Sequence, residues 1–249
     1  MEPTDPRLAA LYDLDNPDGP DHDGYRALAD RIGADTIVDL GCGTGILTVT
    51  LATAGRTVIG IDPDAGMLDV ARRRPGAEVV RWVRGDSAQV AAALDTAGRG
   101  LADLALMTGN VAMHIGPADW PTTLAHLASG LRIGGTLSFE TRNPAAEAWR
   151  TWTPELTRGS RDTEFGELTE WLEMEGPDAD GTVVLSAHNL WTVTGEDLVV
   201  DVTLTFRSLD DLETSLGAAG LTVSGAAGGW SGQPIEPTSP LIVVTATKD

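Results

Sequence analysis

With 249 residues, of which 42% are hydrophobic, the chain is long enough for one large core with an insertion and too apolar for a disordered protein. Its formal net charge of −20 and its isoelectric point near 4.3 argue against a nucleic-acid partner and against binding to anionic membrane surfaces. Cys42 is the single cysteine, the N-terminus shows no apolar leader, and no apolar run reaches about 18 residues, so we expect a cytoplasmic protein without disulfides or membrane spans.

The N-terminal residues 1–34 are expected to form a helical segment or lid. Residues 1–20 are rich in proline and aspartate and contain few apolar anchors, among them Tyr12. From Asp23 to Ile32, apolar residues recur at the spacing of one helical face. This pattern predicts an amphipathic helix directly before the first strand.

A short apolar run at 36–40 leads into a glycine-rich turn. Asp39 lies near the end of this run, and glycines follow at alternate positions, Gly41, Gly43 and Gly45. A buried strand, a glycine turn and a helix in this order begin a doubly wound α/β sheet. Glycine is needed in such a turn because the backbone takes positive φ angles and approaches a ligand closely.

The rest of the chain alternates between strand and helix patterns and then changes character. Strands are predicted at 57–61, 78–83, 102–107 and 136–141, with helices at 45–54, 63–74, 88–97 and 117–129. Three segments with period two then predict half-buried antiparallel strands, at 166–175, 181–193 and 197–206. A helix at 210–219 and two strands, at 221–225 and 241–247, complete the predicted elements.

The sequence therefore predicts an α/β protein with a Rossmann-like, doubly wound seven-stranded sheet. An antiparallel β-meander is inserted after the fifth strand. In this interpretation residues 35–145 and 207–249 form the ligand-binding domain. Residues 146–206 form the inserted sheet, which we expect to cover the substrate.

The glycine turn does not match the dinucleotide fingerprint. That fingerprint requires a third glycine where this chain has Ile46 in one frame and Thr48 in the other. An acid at Asp39 would also repel a pyrophosphate at the turn. S-adenosylmethionine carries no phosphate and brings an ammonium and a sulfonium, so acids at the strand ends suit it.

Two further acids follow neighbouring strands. Asp62 ends the second strand, where a carboxylate can accept both ribose hydroxyls, and Asp86 ends the third, where it can accept from an adenine amino group. Ligands of open α/β sheets bind at the carboxyl ends of the strands. Each acid alone could instead cap a helix or solvate a loop, but together with the glycine turn they indicate a ligand site.

These segments resemble the motifs of class I S-adenosylmethionine-dependent methyltransferases. Residues 38–45 (VDLGCGTG) are similar to the first motif of that family, 58–71 to its ribose-binding stretch and 85–87 to its adenine-binding turn. Residues 131–137 resemble the glycine turn before the fifth strand, although Ile133 replaces the commoner proline. The resemblance implies S-adenosylmethionine as the cofactor and a set of residues around it: Tyr12, Asp39, Gly41, Cys42, Gly43, Gly45, Asp62, Pro63, Met67, Asp86, Ser87, Thr108, Gly109 and Asn110.

The chemistry of the acceptor is less defined by the sequence. Methyl transfer needs a base only where the acceptor must lose a proton, and His114, after the fourth strand, is the candidate for that role. A structural loop histidine is the other interpretation. Four tryptophans of the insertion could line the acceptor pocket or belong to its core: Trp149, Trp152, Trp171 and Trp191.

We expect a small-molecule acceptor methylated on nitrogen or oxygen. No metal site, nucleic-acid partner or membrane partner is predicted, and a homodimer is compatible with the sequence. Two alternatives remain open at this point. One is an NAD(P)-dependent oxidoreductase, and the other is a non-catalytic protein that binds S-adenosylmethionine.

Overall fold

A computed structural model describes residues 4–53 and 55–249, which form nine α-helices and eleven β-strands. The helices are α1 (Pro6–Asp15), α2 (Pro20–Arg31), α3 (Thr48–Leu51), α4 (Ala65–Ala71), α5 (Val90–Thr96), α6 (Val111–His114), α7 (Trp120–Gly130), α8 (Pro154–Thr157) and α9 (Leu209–Ala218). The strands are β1 (Thr36–Leu40), β2 (Thr57–Asp62), β3 (Val80–Arg84), β4 (Ala102–Met107), β5 (Leu131–Arg142), β6 (Gly159–Thr163), β7 (Gly166–Glu175), β8 (Thr182–Trp191), β9 (Glu196–Thr205), β10 (Leu221–Ala227) and β11 (Leu241–Lys248).

The main sheet confirms the predicted seven-stranded, doubly wound α/β fold. Its strand order is β10-β11-β5-β4-β1-β2-β3, and β1 to β5 are parallel. Strand β11 pairs antiparallel with both β5 and β10. The chain order reverses between β1 and β4, and a ligand crevice is expected there, at the carboxyl ends of the strands.

A second, antiparallel sheet of order β6-β7-β8-β9 lies between β5 and α9 in the chain, as predicted for the inserted meander. Three of its strands match the period-two segments. The fourth, β6, has the sequence Gly-Ser-Arg-Asp-Thr and shows no apolar alternation. Its pairing with β7 decides its conformation, so the local pattern could not reveal it.

Helix α1 lies within the N-terminal segment 1–34 that is predicted to be helical, and the Asp5 side chain caps it by accepting from the backbone N–H of Arg7 at 2.8 Å. Two other local predictions differ from the structure. Strand β5 begins at Leu131 instead of 136, and the predicted turn at Gly134 and Gly135 is an irregularity inside it, because the pairing with β4 shifts register between Leu131 and Thr136 and Gly134 has a φ of +73°. Only α3 forms in the helix predicted at 45–54, and the predicted end at Ala54 lies outside the described residues.

Polar contacts connect helix α1 to the inserted sheet, to the glycine turn and to Arg74 after α4. Arg7 donates to Glu196 on β9 at 2.9 Å, and Arg161 on β6 donates to Asp15. Asp13 on the same helix pairs with Arg74 and accepts from the hydroxyl of Thr44, in the glycine turn. Exposed ion pairs of this kind stabilise a fold by less than about 1 kcal/mol each, so their shared effect is to orient the helix.

Every helix among the described residues is too short or too polar to span a lipid bilayer.

The indole of Trp82 on β3 packs against the glycine turn from the side of β2. A Cβ atom added to Gly45 would lie 2.5 Å from Trp82 Cη2, and one added to Gly60 would lie 2.7 Å from its Cζ3. The Trp82 Nε1–H donates to the carbonyl of Ala77 at 3.0 Å, which fixes the ring. Gly45 also has a φ of +73°, so both backbone and packing require glycine there.

Substituting Gly45→Ala should therefore destabilise the protein more than a positive φ alone explains. We expect a loss of about 2–4 kcal/mol in the free energy of unfolding, because left-handed strain adds to overpacking against Trp82. Gly98→Ala is a matched control, since Gly98 has a φ of +69° and a Cβ atom added there would meet no described atom within 4 Å. It should lose only about 1 kcal/mol. Equal losses in urea titrations would contradict the role of Trp82.

Candidate functional site

A cavity of about 380 Å³ opens at the carboxyl ends of β1 and β4, where the chain order of the main sheet reverses. The glycine turn 41–44 and the loop 108–110 form part of its wall. Tyr12 from α1, His22 from α2 and Glu140 from β5 complete much of the rest. Two distant parts of the chain, the N-terminal helices and the end of β5, therefore meet over the glycine turn.

The glycine turn takes the conformation that its sequence predicts. Gly41 and Gly43 have φ angles of +76° and +53°. A Cβ atom on Gly41 would lie 2.4 Å from Val111 Cγ2, whereas one on Gly43 would meet no described atom within 4 Å. The Gly41 N–H donates to the carbonyl of Ile61 at 2.7 Å, which holds the turn against β2. Close packing thus requires Gly41, and Gly43 leaves open space on the cavity side.

Asp39, near the end of β1, is 1% exposed. One carboxylate oxygen, Oδ2, accepts from the hydroxyl of Thr48 at 2.7 Å, and Oδ1 has no partner among the described residues. Burial raises the pKa of Asp39 to about 6, although the Thr48 hydrogen bond lowers it, and the nearby Asp62 raises it further. Leaving a buried carboxylate oxygen without a hydrogen-bond donor costs stability.

Asp62, the last residue of β2, is 7% exposed and braces the same turn. Its Oδ2 accepts from the Gly43 N–H and its Oδ1 from the Asp64 N–H, both at 2.8 Å. Burial raises the pKa of Asp62 above its usual value, while these two hydrogen bonds oppose the rise. Each oxygen keeps a lone pair for a further donor.

The predicted cofactor-binding residues as a whole divide into two groups. Cavity-lining positions among them are Tyr12, Gly41, Cys42, Gly43, Thr108, Gly109 and Asn110. Positions outside that lining are Asp39, Gly45, Asp62, Pro63, Met67, Asp86 and Ser87. Asp86 is exposed and caps the Ala88 N–H at 2.9 Å, and the buried Ser87 hydroxyl lies 3.0 Å from Nδ1 of His126. Their roles toward a ligand stay predictions.

Glu140 is a cavity residue that the sequence interpretation missed. It is 2% exposed and accepts hydrogen bonds from the backbone N–H of Asn110, at 2.6 Å, and from the hydroxyl of Tyr25. Burial raises the pKa of its carboxyl above the usual value. Asn110 itself has a φ of +61°, which asparagine tolerates better than most residues. The signal was an acid near the end of the fifth strand, equivalent to Asp39 on the first.

His114 ends helix α6 and is exposed rather than part of the cavity wall. The protein atoms around its ring lower the pKa of the imidazole below its usual value. Of the tryptophans in the insertion, Trp152 and Trp191 are buried in apolar clusters. Trp171 stacks on His188 with ring centroids 4.4 Å apart, and Trp149 packs against Phe206. None of the four lines the 380 Å³ cavity.

Comparisons with known proteins place this geometry in a family. A methyltransferase-domain family model matches residues 37–135. A ubiquinone biosynthesis O-methyltransferase of Dinoroseobacter shibae is 31% identical over 189 residues, covering 69% of this chain and 73% of that protein. An uncharacterized methyltransferase of Mycobacterium tuberculosis is 32% identical over 151 residues, but the match spans 59% of this chain and only 66% of that protein.

Among solved structures, the CcbJ methyltransferase of Streptomyces caelestis has the same fold, with a TM-score of 0.79. The superposition covers 97% of this chain and 96% of that one at 21% sequence identity. The inserted sheet is therefore part of the shared architecture as well as the main sheet. Together with the sequence matches, this fold shows that the chain belongs to the class I S-adenosylmethionine-dependent methyltransferases.

Proposed function

We propose that this protein transfers the methyl group of S-adenosylmethionine to a nitrogen or oxygen atom of a small-molecule acceptor. The observation that carries the proposal is the charge of the cavity beside the glycine turn. Among the described residues its wall contains Asp21 and Glu140 but no lysine or arginine, and Asp39 and Asp62 lie just behind the turn. Such a site disfavours the pyrophosphate of a dinucleotide and suits a ligand with cationic groups.

The residues at hand fit the cofactor. The free Oδ1 of Asp39 and the spare lone pairs of Asp62 offer acceptors for donors on the ligand, and the open space at Gly43 admits it. We assign Asp62 to the ribose hydroxyls, Asp86 and Ser87 to the adenine, and Pro63 and Met67 to the adenosine surface. The methionine part belongs with the loop of Thr108, Gly109 and Asn110.

When bound, S-adenosylmethionine supplies a methyl group on a sulfonium, ready for in-line displacement by a nucleophile. The task of this chain is then mainly to hold the acceptor in line and to exclude water. Tyr12 reaches the cavity from α1, and the contacts of Asp13 with Thr44 and Arg74 hold that helix over the glycine turn. Helix α1 therefore provides the lid in this proposal.

The inserted sheet is the proposed cover of the acceptor. One of its faces carries Leu172 and Leu185, which pack with Met113 of α6, and at its other end Leu168 and Trp191 pack against α1. The cover thus rests on both the lid helix and the segment that follows β4.

Further parts of the proposal rest on the sequence and on the relatives. The relative from Dinoroseobacter is named for a small-molecule pathway, which supports a small acceptor. The net charge of −20 supports an acceptor other than nucleic acid. A cytoplasmic location suits a chain with a single cysteine, and a homodimer is the proposed oligomer.

Asp62→Ala should weaken binding of S-adenosylmethionine by about 1.5–3 kcal/mol, the scale of hydrogen bonds to a charged group. Isothermal titration calorimetry measures this change directly. Asp69→Ala is the control, because Asp69 lies on α4 nearby but is exposed and pairs with Arg72 at the surface. Unchanged affinity in Asp62→Ala would remove that carboxylate from the cofactor site.

Asp39→Asn should stabilise the ligand-free protein at pH 8 and weaken cofactor binding. The folded pKa of about 6 lies above the usual 3.8, so the ionised form destabilises the fold above about pH 6 and this effect vanishes below about pH 4. The variant should gain up to about 3 kcal/mol at pH 8 and nothing at pH 4. Urea unfolding at both pH values tests this, and a variant less stable than wild type at pH 8 would contradict it.

If His114 is the base that removes a proton from the methyl acceptor, His114→Ala should lower turnover roughly 10²–10⁴-fold and leave cofactor affinity intact. Desolvation by the protein atoms around the ring lowers the pKa of the His114 imidazole below its usual value, a direction that favours the neutral form that a base requires. Transfer of radiolabelled methyl to an acceptor found by screening provides the assay. His188→Ala serves as the control, because His188 stacks on Trp171 in the inserted sheet and lies outside the cavity wall. A near-normal rate of methyl transfer in His114→Ala would show that His114 is not the base.

A further inference from the structure

His22 differs from the other titratable side chains of the cavity wall because an imidazole can carry a positive charge. The other titratable side chains of that wall are Tyr12, Asp21, Cys42 and Glu140, all of which are neutral or negative near pH 7. S-adenosylmethionine brings two cationic groups and also one carboxylate. The acids and backbone carbonyls suit the cationic groups. Only His22, among the described lining residues, offers a side chain that can become positive for the carboxylate.

The imidazole of His22 is held in a defined orientation. It is 7% exposed, and its Nδ1 lies 2.9 Å from Oδ1 of Asp18, an oxygen that also accepts from Arg26 at 2.8 Å. Its Nε2 lies 3.7 Å from Oδ2 of Asp21, beyond hydrogen-bond distance, and makes no hydrogen bond to another described residue. The ring is thus fixed through one nitrogen, and the other is available to a ligand.

The charged groups that face the ring are mostly carboxylates. Asp18 faces it from the α1–α2 connection, Asp21 from α2 itself and Asp39 from β1. Arg26 reaches it only through the shared Asp18. As an imidazolium, His22 donates from Nδ1 to Asp18 and presents an Nε2–H for a further acceptor.

We propose that His22 binds the carboxylate of S-adenosylmethionine and so selects cofactors that carry this group. The inference rests on the proposed function, since it concerns the same cofactor in the same cavity. It adds a recognition element that lies outside the glycine turn and the three strand-end acids. It also gives helix α2 a direct part in cofactor selection.

Calorimetry with two ligands tests the proposal. S-adenosylmethionine and its decarboxylated analogue differ only in the carboxylate. His22→Ala should weaken binding of the first roughly 10–100-fold, the range of a charge-assisted hydrogen bond, and change binding of the second less than about twofold. His22→Gln keeps the side-chain size and a neutral donor, so it should retain part of the lost affinity. His188→Ala should bind both ligands like wild type.

The outcomes separate the two proposals. Equal weakening of both ligands by His22→Ala would show a packing role and overturn the assignment, as would unchanged binding of both. Wild-type protein that binds neither ligand would overturn the proposed function itself. Thermal unfolding of each variant verifies that the folded protein is being titrated. A loss specific to the carboxylated ligand, partly restored in His22→Gln, is the result we expect.

Discussion

Asp39 holds a carboxylate inside the protein with no cationic partner among the described residues, and much of the site follows from that arrangement. Its free oxygen lies behind the glycine turn, Asp62 raises its pKa further, and Thr48 donates a hydrogen bond to the other oxygen. A buried charge of this kind costs stability unless something compensates it. In the proposed function the same carboxylate offers an acceptor to a cationic ligand. Stability and ligand affinity are therefore opposed at this position.

Glu140 repeats the arrangement on the other side of the crevice. It is buried, but two donors satisfy it, the Tyr25 hydroxyl from α2 and the backbone N–H of Asn110. Through these contacts one carboxylate connects β5, the loop after β4 and the second N-terminal helix. Asn110, whose N–H donates to Glu140, has a left-handed backbone with a φ of +61°. Buried acids thus hold segments of the cavity wall in position and also make the wall acidic.

Arg207, which follows β9, connects the end of the inserted sheet to helix α6 and to Ile115 after it. It is 7% exposed and donates to the carbonyls of Ala112 and Ile115 at 2.8 Å and 2.5 Å, while its guanidinium lies 4.4 Å from the ring centroid of Trp120. Burial lowers its pKa to about 10, so the group remains charged near pH 7. Helix α6 is consequently held between the inserted sheet and the main sheet, which orients the residues that follow β4.

The sequence alone was sufficient for the α/β order, the seven strands, the inserted antiparallel sheet and the glycine turn with its strand-end acids. Each of these depends on periodicity, glycine spacing or a strand terminus, and such signals lie within a few neighbouring residues. Strand β6 forms through its pairing with β7, and its own residues show no apolar alternation. Local propensity could therefore not predict it.

The tertiary structure alone decided which side chains share the cavity. Tyr25 and Glu140 meet across 115 residues, and His22 comes to the glycine turn only because α2 packs against the sheet there. Asp86 stays exposed although its sequence position matched that of Asp39 and Asp62. A short motif specifies backbone geometry, because glycine and strand propensities act locally. The charge and shape of a binding cavity arise from long-range packing, which no single segment of the sequence contains.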